Sequence, residues 1–130
     1  MRAPARFAVY AAAGWLAELV WLRAVERPRP TRRRWPSAWM LPVYGLSQPL
    51  YEPVHDALRA RPAAERAAAY CAGFFAVEYA SGRLLRASVG EAPWDYSHAR
   101  LNLHGLIRAS YVPVWAAAGL ALEPLHDALR

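Results

Sequence analysis

Four apolar stretches alternate with short polar tracts rich in Arg and Pro, and the alternation predicts four helices. The first stretch runs from about Phe7 to Leu22 and ends in the tract Arg27-Pro28-Arg29-Pro30-Thr31-Arg32-Arg33-Arg34. That tract cannot continue a helix and is expected to form a solvated loop. The second stretch, about Trp35 to Leu58, is interrupted by Pro36, Pro42, Pro49 and Pro53. In water so many prolines would oppose a helix, whereas in a bilayer neighbouring helices can satisfy the freed backbone groups. After Arg59-Ala60-Arg61-Pro62, the third stretch, Ala63 to Leu85, carries the small residues Ala67, Ala68, Ala72, Gly73, Ala76 and Ala80, which permit close helix contact. A polar connection from Arg86 to Asn102 leads into the fourth, Leu103 to about Leu129. Helices are expected over 7–22, 35–58, 63–85 and 103–129, to be set against the roughly 17 to 25 residues that a spanning helix needs.

The fold class expected from this pattern is an all-α, four-helix transmembrane bundle in one domain covering residues 1–130, with a water-soluble four-helix bundle as the alternative. Composition alone leaves both open, since 56% of residues are hydrophobic yet mean hydropathy is only +0.01. The placement of Trp21, Trp35, Trp39 and Trp94 at or near segment ends favours the membrane, where an amphipathic ring sits among headgroups. All 16 basic residues are Arg and none is Lys. With the abundant Ala and Pro, this points to a GC-rich, bacterial source. The net charge of +6 would suit nucleic acid, but the Arg residues lie mainly between apolar stretches, where anionic headgroups would meet them, so no nucleic acid is expected as a partner. Cys71, the single cysteine, cannot form an internal disulfide and reads as a small packing residue. The basic start and apolar run resemble a signal peptide, but Glu18 inside the run and the lack of a small-x-small cleavage site argue against a cleavable one. Arg is commoner in the connections after the first and third stretches, which by the positive-inside rule puts both termini outside the cytoplasm.

The chain also repeats itself. Glu52-Pro53-Val54-His55-Asp56-Ala57-Leu58-Arg59 returns as Glu123-Pro124-Leu125-His126-Asp127-Ala128-Leu129-Arg130, with seven of eight positions identical. A fainter echo links Gly14-Trp15-Leu16-Ala17-Glu18 with Gly73-Phe74-Phe75-Ala76-Val77-Glu78. A duplicated helical hairpin explains both, with the copies related by an axis along the membrane normal.

Ionisable residues inside a spanning helix cost at least about 2.5 to 3.5 kcal/mol each near its centre, so they should face the bundle interior and find partners. Glu18, Glu52, Glu78 and Glu123 supply one such residue per helix. Together with His55 and His126 they match the ligand count of a di-metal carboxylate bundle. The depths do not match, because Glu18 and Glu78 should lie on the order of 10 to 18 Å from Glu52 and Glu123 along the bundle, too far for one compact site. Arg108, at the expected depth of Glu18 and Glu78, completes a polar cluster in the bundle interior. Glu52 and Glu123 form a second polar pair at the other end, where His55 and His126 read as interfacial residues, with metal ligation as the lesser reading. Trp94-Asp95-Tyr96-Ser97 reads as an interfacial loop in which the ring anchors and Asp95 or Ser97 caps the following turn. No Ser, His and Asp arrangement has the neighbouring features that catalysis requires, and no cofactor is expected.

The residues Pro93-Trp94-Asp95-Tyr96-Ser97, followed by Arg100-Leu101-Asn102-Leu103-His104-Gly105-Leu106-Ile107, carry a resemblance to a known family. The chain resembles the ABC-transporter type IV (CmpB-like) membrane proteins, whose animal members form the transmembrane protein 229 family. Gly14-Trp15-Leu16-Ala17-Glu18, Pro42-Val43-Tyr44-Gly45 and Glu78-Tyr79 extend the match over nearly the whole chain. The resemblance implies a multi-pass protein of the cell membrane and marks Trp94, Asp95, Tyr96, Ser97, Asn102 and Gly105 as its motif loop. The chain has no phosphate-binding loop with a Lys, so any ATPase would be a separate protein. Two functional classes follow: a permease-like subunit, or a non-transporting structural or partner-binding membrane protein. A carboxylate/His metal-binding bundle is third. The partners expected are the lipid bilayer and further membrane subunits, whether copies of this chain or other proteins.

Overall fold

The computed structural model describes residues 1–25 and 38–130, so the Arg-Pro tract, Trp35 and Pro36 lie outside the described residues. Helix α1 spans Ala3–Ala24, α2 Met40–Gly45, α3 Ser47–Leu58, α4 Ala63–Val89 and α5 Val112–Leu129. A two-stranded antiparallel hairpin, β1 Asn102–Leu103 and β2 Ile107–Arg108, sits between α4 and α5 and is followed by a 3-10 turn, Ala109–Tyr111. The result is a helical bundle, as the apolar pattern predicts, with three local departures that the chain explains.

Proline governs two of them. The second stretch breaks at Leu46, dividing it into α2 and α3. Pro49 has no N–H to offer Gly45, four residues earlier, and its ring presses on that carbonyl, so the chain turns one turn ahead of the proline. The fourth helix begins at Val112, nine residues later than the hydrophobic pattern suggests, with Pro113 in its first turn, where a missing N–H costs nothing. Ahead of it the chain reverses at His104 and Gly105, whose φ angles of 54° and 69° are those of a hairpin turn, and Leu106 N donates to Leu103 O at 3.0 Å. Leu101 to Arg108 therefore belongs to a folded cap and not to a helix. The third departure is length: α4 runs on past Leu85 to Val89, so the polar connection starts later than expected.

Helix α1 packs against α2 and α3, and α4 packs against α5, giving two hairpins that meet through α3 and α4. The repeat seen in the sequence is thus a repeat in space. The hydrophobic core is small and aromatic: Met40, Trp94, Tyr96 and Tyr111 are buried, with Trp15, Trp21, Tyr44, Phe75 and Trp115 packed against them. Trp94 corrects an expectation, since it is 5% exposed and its Nε1 donates to Leu106 O at 2.8 Å. A ring that buries its N–H on a backbone carbonyl is a core residue, not a headgroup anchor. Trp39, by contrast, is half-exposed at the start of α2, as an anchor would be.

Candidate functional site

Polar side chains gather in two layers at opposite ends of the bundle, with a cavity between them. The layer at the end holding both termini is built from equivalent residues of the two hairpins. In the first hairpin Arg6 on α1 donates through Nε to both carboxylate oxygens of Glu52 on α3, at 2.9 and 3.2 Å. In the second, Arg66 on α4 donates to Glu123 on α5 at 2.7 and 3.1 Å. One turn after each arginine stands a tyrosine. Tyr70 Oη donates to Glu123 at 2.9 Å, and Tyr10 hydrogen-bonds Glu52.

The histidines then cross between the hairpins. His55 Nδ1 of α3 lies 2.6 Å from Tyr70 Oη of α4, and His126 Nδ1 of α5 lies 3.2 Å from Tyr10 Oη of α1. The two imidazoles meet edge-to-face, with ring centroids 5.3 Å apart. Outside them Arg59 holds Asp127 at 2.6 Å, and Arg130 holds Asp56, again each across the hairpin boundary. Every one of these contacts has its counterpart under exchange of the hairpins, so the layer has an approximate two-fold axis running between the histidines.

The sequence signals Glu52, Glu123, His55 and His126 but not the residues that hold them. Arg6, Tyr10, Arg66 and Tyr70 were legible in one way: Arg-x-x-x-Tyr occurs at both positions with the same sixty-residue offset that separates Glu18 from Glu78. Among the described residues no three His, Cys, Asp or Glu side chains converge to hold an ion. The carboxylates are already committed to arginine and tyrosine donors, and a metal would have to displace those charge-assisted bonds.

At the opposite end, Glu78 of α4 is 8% exposed and accepts from Tyr96 Oη at 2.9 Å and Trp115 Nε1 at 3.2 Å. Glu18 of α1 is hydrogen-bonded by Tyr44 of α2, the first hairpin's counterpart of Trp115. Arg108 stands differently from the expectation. It lies on β2 and not inside a helix, its guanidinium is 4.8 Å from the centroid of Tyr111 and 5.8 Å from that of Tyr96, and its Nε donates to Ser110 at 2.7 Å. It therefore backs the tyrosine that bonds Glu78, a cation over aromatic faces.

The motif loop forms the lid of this end. Asp95 Oδ1 accepts the backbone N–H of Ser97 at 2.8 Å, the cap expected of it, and that N–H holds its carboxyl below the ordinary Asp range. Tyr96 N donates to Gly105 O at 2.8 Å, while Asn102 accepts Gly105 N at 2.8 Å and donates to Ala99 O at 2.8 Å. Gly105 is required twice over, by its left-handed φ of 69° and because a Cβ there would stand 2.9 Å from Asp95 Oδ1. The motif residues thus shape one cap whose inward product is the Tyr96–Glu78 bond. Replacing Tyr96 by Phe leaves the ring but removes a buried donor to a carboxylate, and should lower stability by about 2 kcal/mol in a denaturation experiment.

A cavity of about 1180 Å³ lies between the two layers. Tyr10, Tyr51 and Tyr70 line it towards the terminal layer, and Glu18, Glu78, Tyr96 and Trp115 line it towards the cap. Its walls are otherwise mostly apolar, with aliphatic, small and aromatic residues among them such as Leu50, Gly73 and Phe74. Among the described residues one helix, α1, is long and apolar enough to cross a membrane. No solved structure matches the chain. The family model described as Putative ABC-transporter type IV matches residues 5–128, and since this is nearly the full length, the chain belongs to that family.

Proposed function

We propose that this chain is a multi-pass membrane protein serving as a permease-like subunit of an ABC-type transporter, with the two hairpins crossing the bilayer and the cavity forming the solute path. The observation that carries this is an inverted distribution of polarity. Glu52, His55, Glu78 and His126 are at most 8% exposed, whereas Leu16, Val20 and Leu84 are 55% to 67% exposed. Water would reverse that order, while lipid rewards it, because charges must then be satisfied inside. Between its outer charged residues α1 runs from Phe7 to Leu22 with only Glu18 carrying a charge, and α4 from Ala67 to Gly82 with only Glu78. Each stretch is about 24 Å long at 1.5 Å per residue, close to a hydrocarbon core of about 30 Å.

A second reading, a scaffold that transports nothing, draws on the completeness of the terminal layer, where Arg–carboxylate and His–Tyr bonds tie the hairpins together. Cysteine modification separates the two. In a Cys71→Ala background, Gly73→Cys places a thiol in the cavity, where open space surrounds it, and Val20→Cys places one on the outer face of α1. A water-soluble methanethiosulfonate applied to membranes should modify position 73 and spare position 20. Modification of both would refute the membrane reading; modification of neither would leave the cavity closed to water and favour the scaffold.

A further inference from the structure

Six aromatic rings follow one another along the cavity, from the terminal layer to the cap. Ring centroids of Tyr70 and Tyr51 lie 4.8 Å apart, Tyr51 stacks on Phe74 at 6.2 Å, and Phe74 meets Trp115 at 5.3 Å. Trp115 reaches Tyr111 at 6.5 Å, and Tyr111 meets Trp21 at 6.0 Å. All six residues line the cavity.

The charged groups of the same wall are acidic. Glu18, Glu78 and Asp95 line it together with His98, whereas among the described residues no arginine does, in a chain that carries 16 of them. Carboxylates facing a space of low dielectric favour a cation inside it. The electron-rich face of an aromatic ring does the same. The cap holds an instance made from the protein itself: the Arg108 guanidinium lies over Tyr111 and Tyr96, two rings that line the cavity, while Arg108 itself does not line it.

We propose that the cavity binds a lipophilic quaternary cation, with its charge beside Glu78 and its apolar groups on Phe74 and Trp115. The wall selects a cation without N–H groups. Glu78 accepts from Tyr96 on one oxygen and from Trp115 on the other, and Tyr51 and Tyr70 spend their hydroxyl hydrogens on Gly119 O and Glu123. A quaternary ammonium or phosphonium is held by charge and by ring faces, so all of those bonds stay in place. A primary amine would instead bring N–H hydrogens into a mostly apolar space, where unmet donors are costly. The volume of about 1180 Å³ is ample, since sites for drug-sized ligands measure about 300 to 1,000 Å³. As a transported substrate this cation rests on the cavity being the solute path; as a bound ligand it does not. Modification of positions 73 and 20 judges the first and cation binding the second, so either can fail alone.

The test is equilibrium binding of radiolabelled tetraphenylphosphonium to the full chain in detergent micelles, with neutral triphenylphosphine oxide as a competitor of similar shape. Binding should be saturable, and the neutral compound should compete at least about tenfold more weakly than unlabelled tetraphenylphosphonium. Glu78→Gln keeps an acceptor for Tyr96 and removes the charge. Phe74→Leu keeps apolar volume and removes a ring face. Each should weaken cation binding by about tenfold and change that of the neutral compound by no more than about threefold. A cavity that is merely apolar would treat the two compounds alike. Absence of saturable binding, equal competition by the two compounds, or a native cation affinity in either folded variant would overturn the proposal. If Glu78→Gln does not fold, Phe74→Leu and the comparison of the two compounds decide it.

Discussion

Gly119→Ala should unfold most of the protein, and the added methyl is the whole cause. A Cβ at position 119 would stand 2.4 Å from Tyr70 Cβ and 2.6 to 2.7 Å from its ring, so the collision is with the root of the side chain and no rotamer relieves it. Alanine is the better helix former by about 1 kcal/mol, yet α4 and α5 would have to separate. That separation has consequences beyond the clash. Tyr51 donates to Gly119 O at 2.7 Å, and Tyr70 bonds both His55 and Glu123, so moving α5 from α4 strains the centre of the terminal layer as well. Overpacking combined with loss of buried polar bonds places the expected cost at about 4 kcal/mol. Shortening Tyr70 would not rescue it, because the first atom struck is Cβ. The measurement is the unfolding midpoint of the purified chain in detergent by far-UV circular dichroism; a change within about 0.5 kcal/mol of native would refute the close approach of α4 and α5.

Glu52→Ala is the second large effect, expected to cost about 3 to 5 kcal/mol, because it leaves the partly buried guanidinium of Arg6 without its anion. Arg6 loses both of its carboxylate bonds, and His126 loses the acceptor at Nδ1. Glu52 is 5% exposed, so water does not readily replace the carboxylate. The loss should be far smaller when both members go together: Arg6→Met with Glu52→Leu removes the charges as a pair and leaves apolar volume in their place. A Glu52→Ala change as mild as the double substitution would show that the pair contributes nothing. The equivalent change in the second hairpin, Glu123→Ala, should cost less, since the Glu123 side chain is 18% exposed against 7% for Glu52 and solvent can take up part of the lost interaction.

Such predictions are possible because duplication is a property of the sequence that survives into space. The repeated Glu-Pro-x-His-Asp-Ala-Leu-Arg element is legible along the chain, and so is the rule that every apolar stretch must find a partner for its interior glutamate. Which partner it finds is not. Glu52 was paired in the sequence only with its twin Glu123, whereas its nearest cation is Arg6, forty-six residues earlier, brought to it by the antiparallel packing of α1 on α3. Spacing within a helix is short-range information; the choice among sixteen chemically identical arginines is made by how the helices cross.

The cap shows the same division. Trp94, Asp95, Tyr96 and Ser97 stand out as a group, and the cap on Ser97 N by Asp95 follows from local chemistry. The burial of Trp94, the start of α5 at Val112 and the place of Arg108 on a strand depend on the reversal at His104 and Gly105. A hydrophobic count reads Leu103, Leu106 and Ile107 as one apolar run, while left-handed φ angles turn the run back on itself.

What the sequence determined by itself is the helical class, the two-fold repeat, the family, and the need for polar groups inside, because periodicity, identity between segments and motif content are all written along the chain. Only the tertiary structure decided the pairing of Arg6 with Glu52 and Arg66 with Glu123, and the crossing of the histidines between hairpins. Those depend on distances of a few ångströms between residues far apart in the chain, and packing alone sets them.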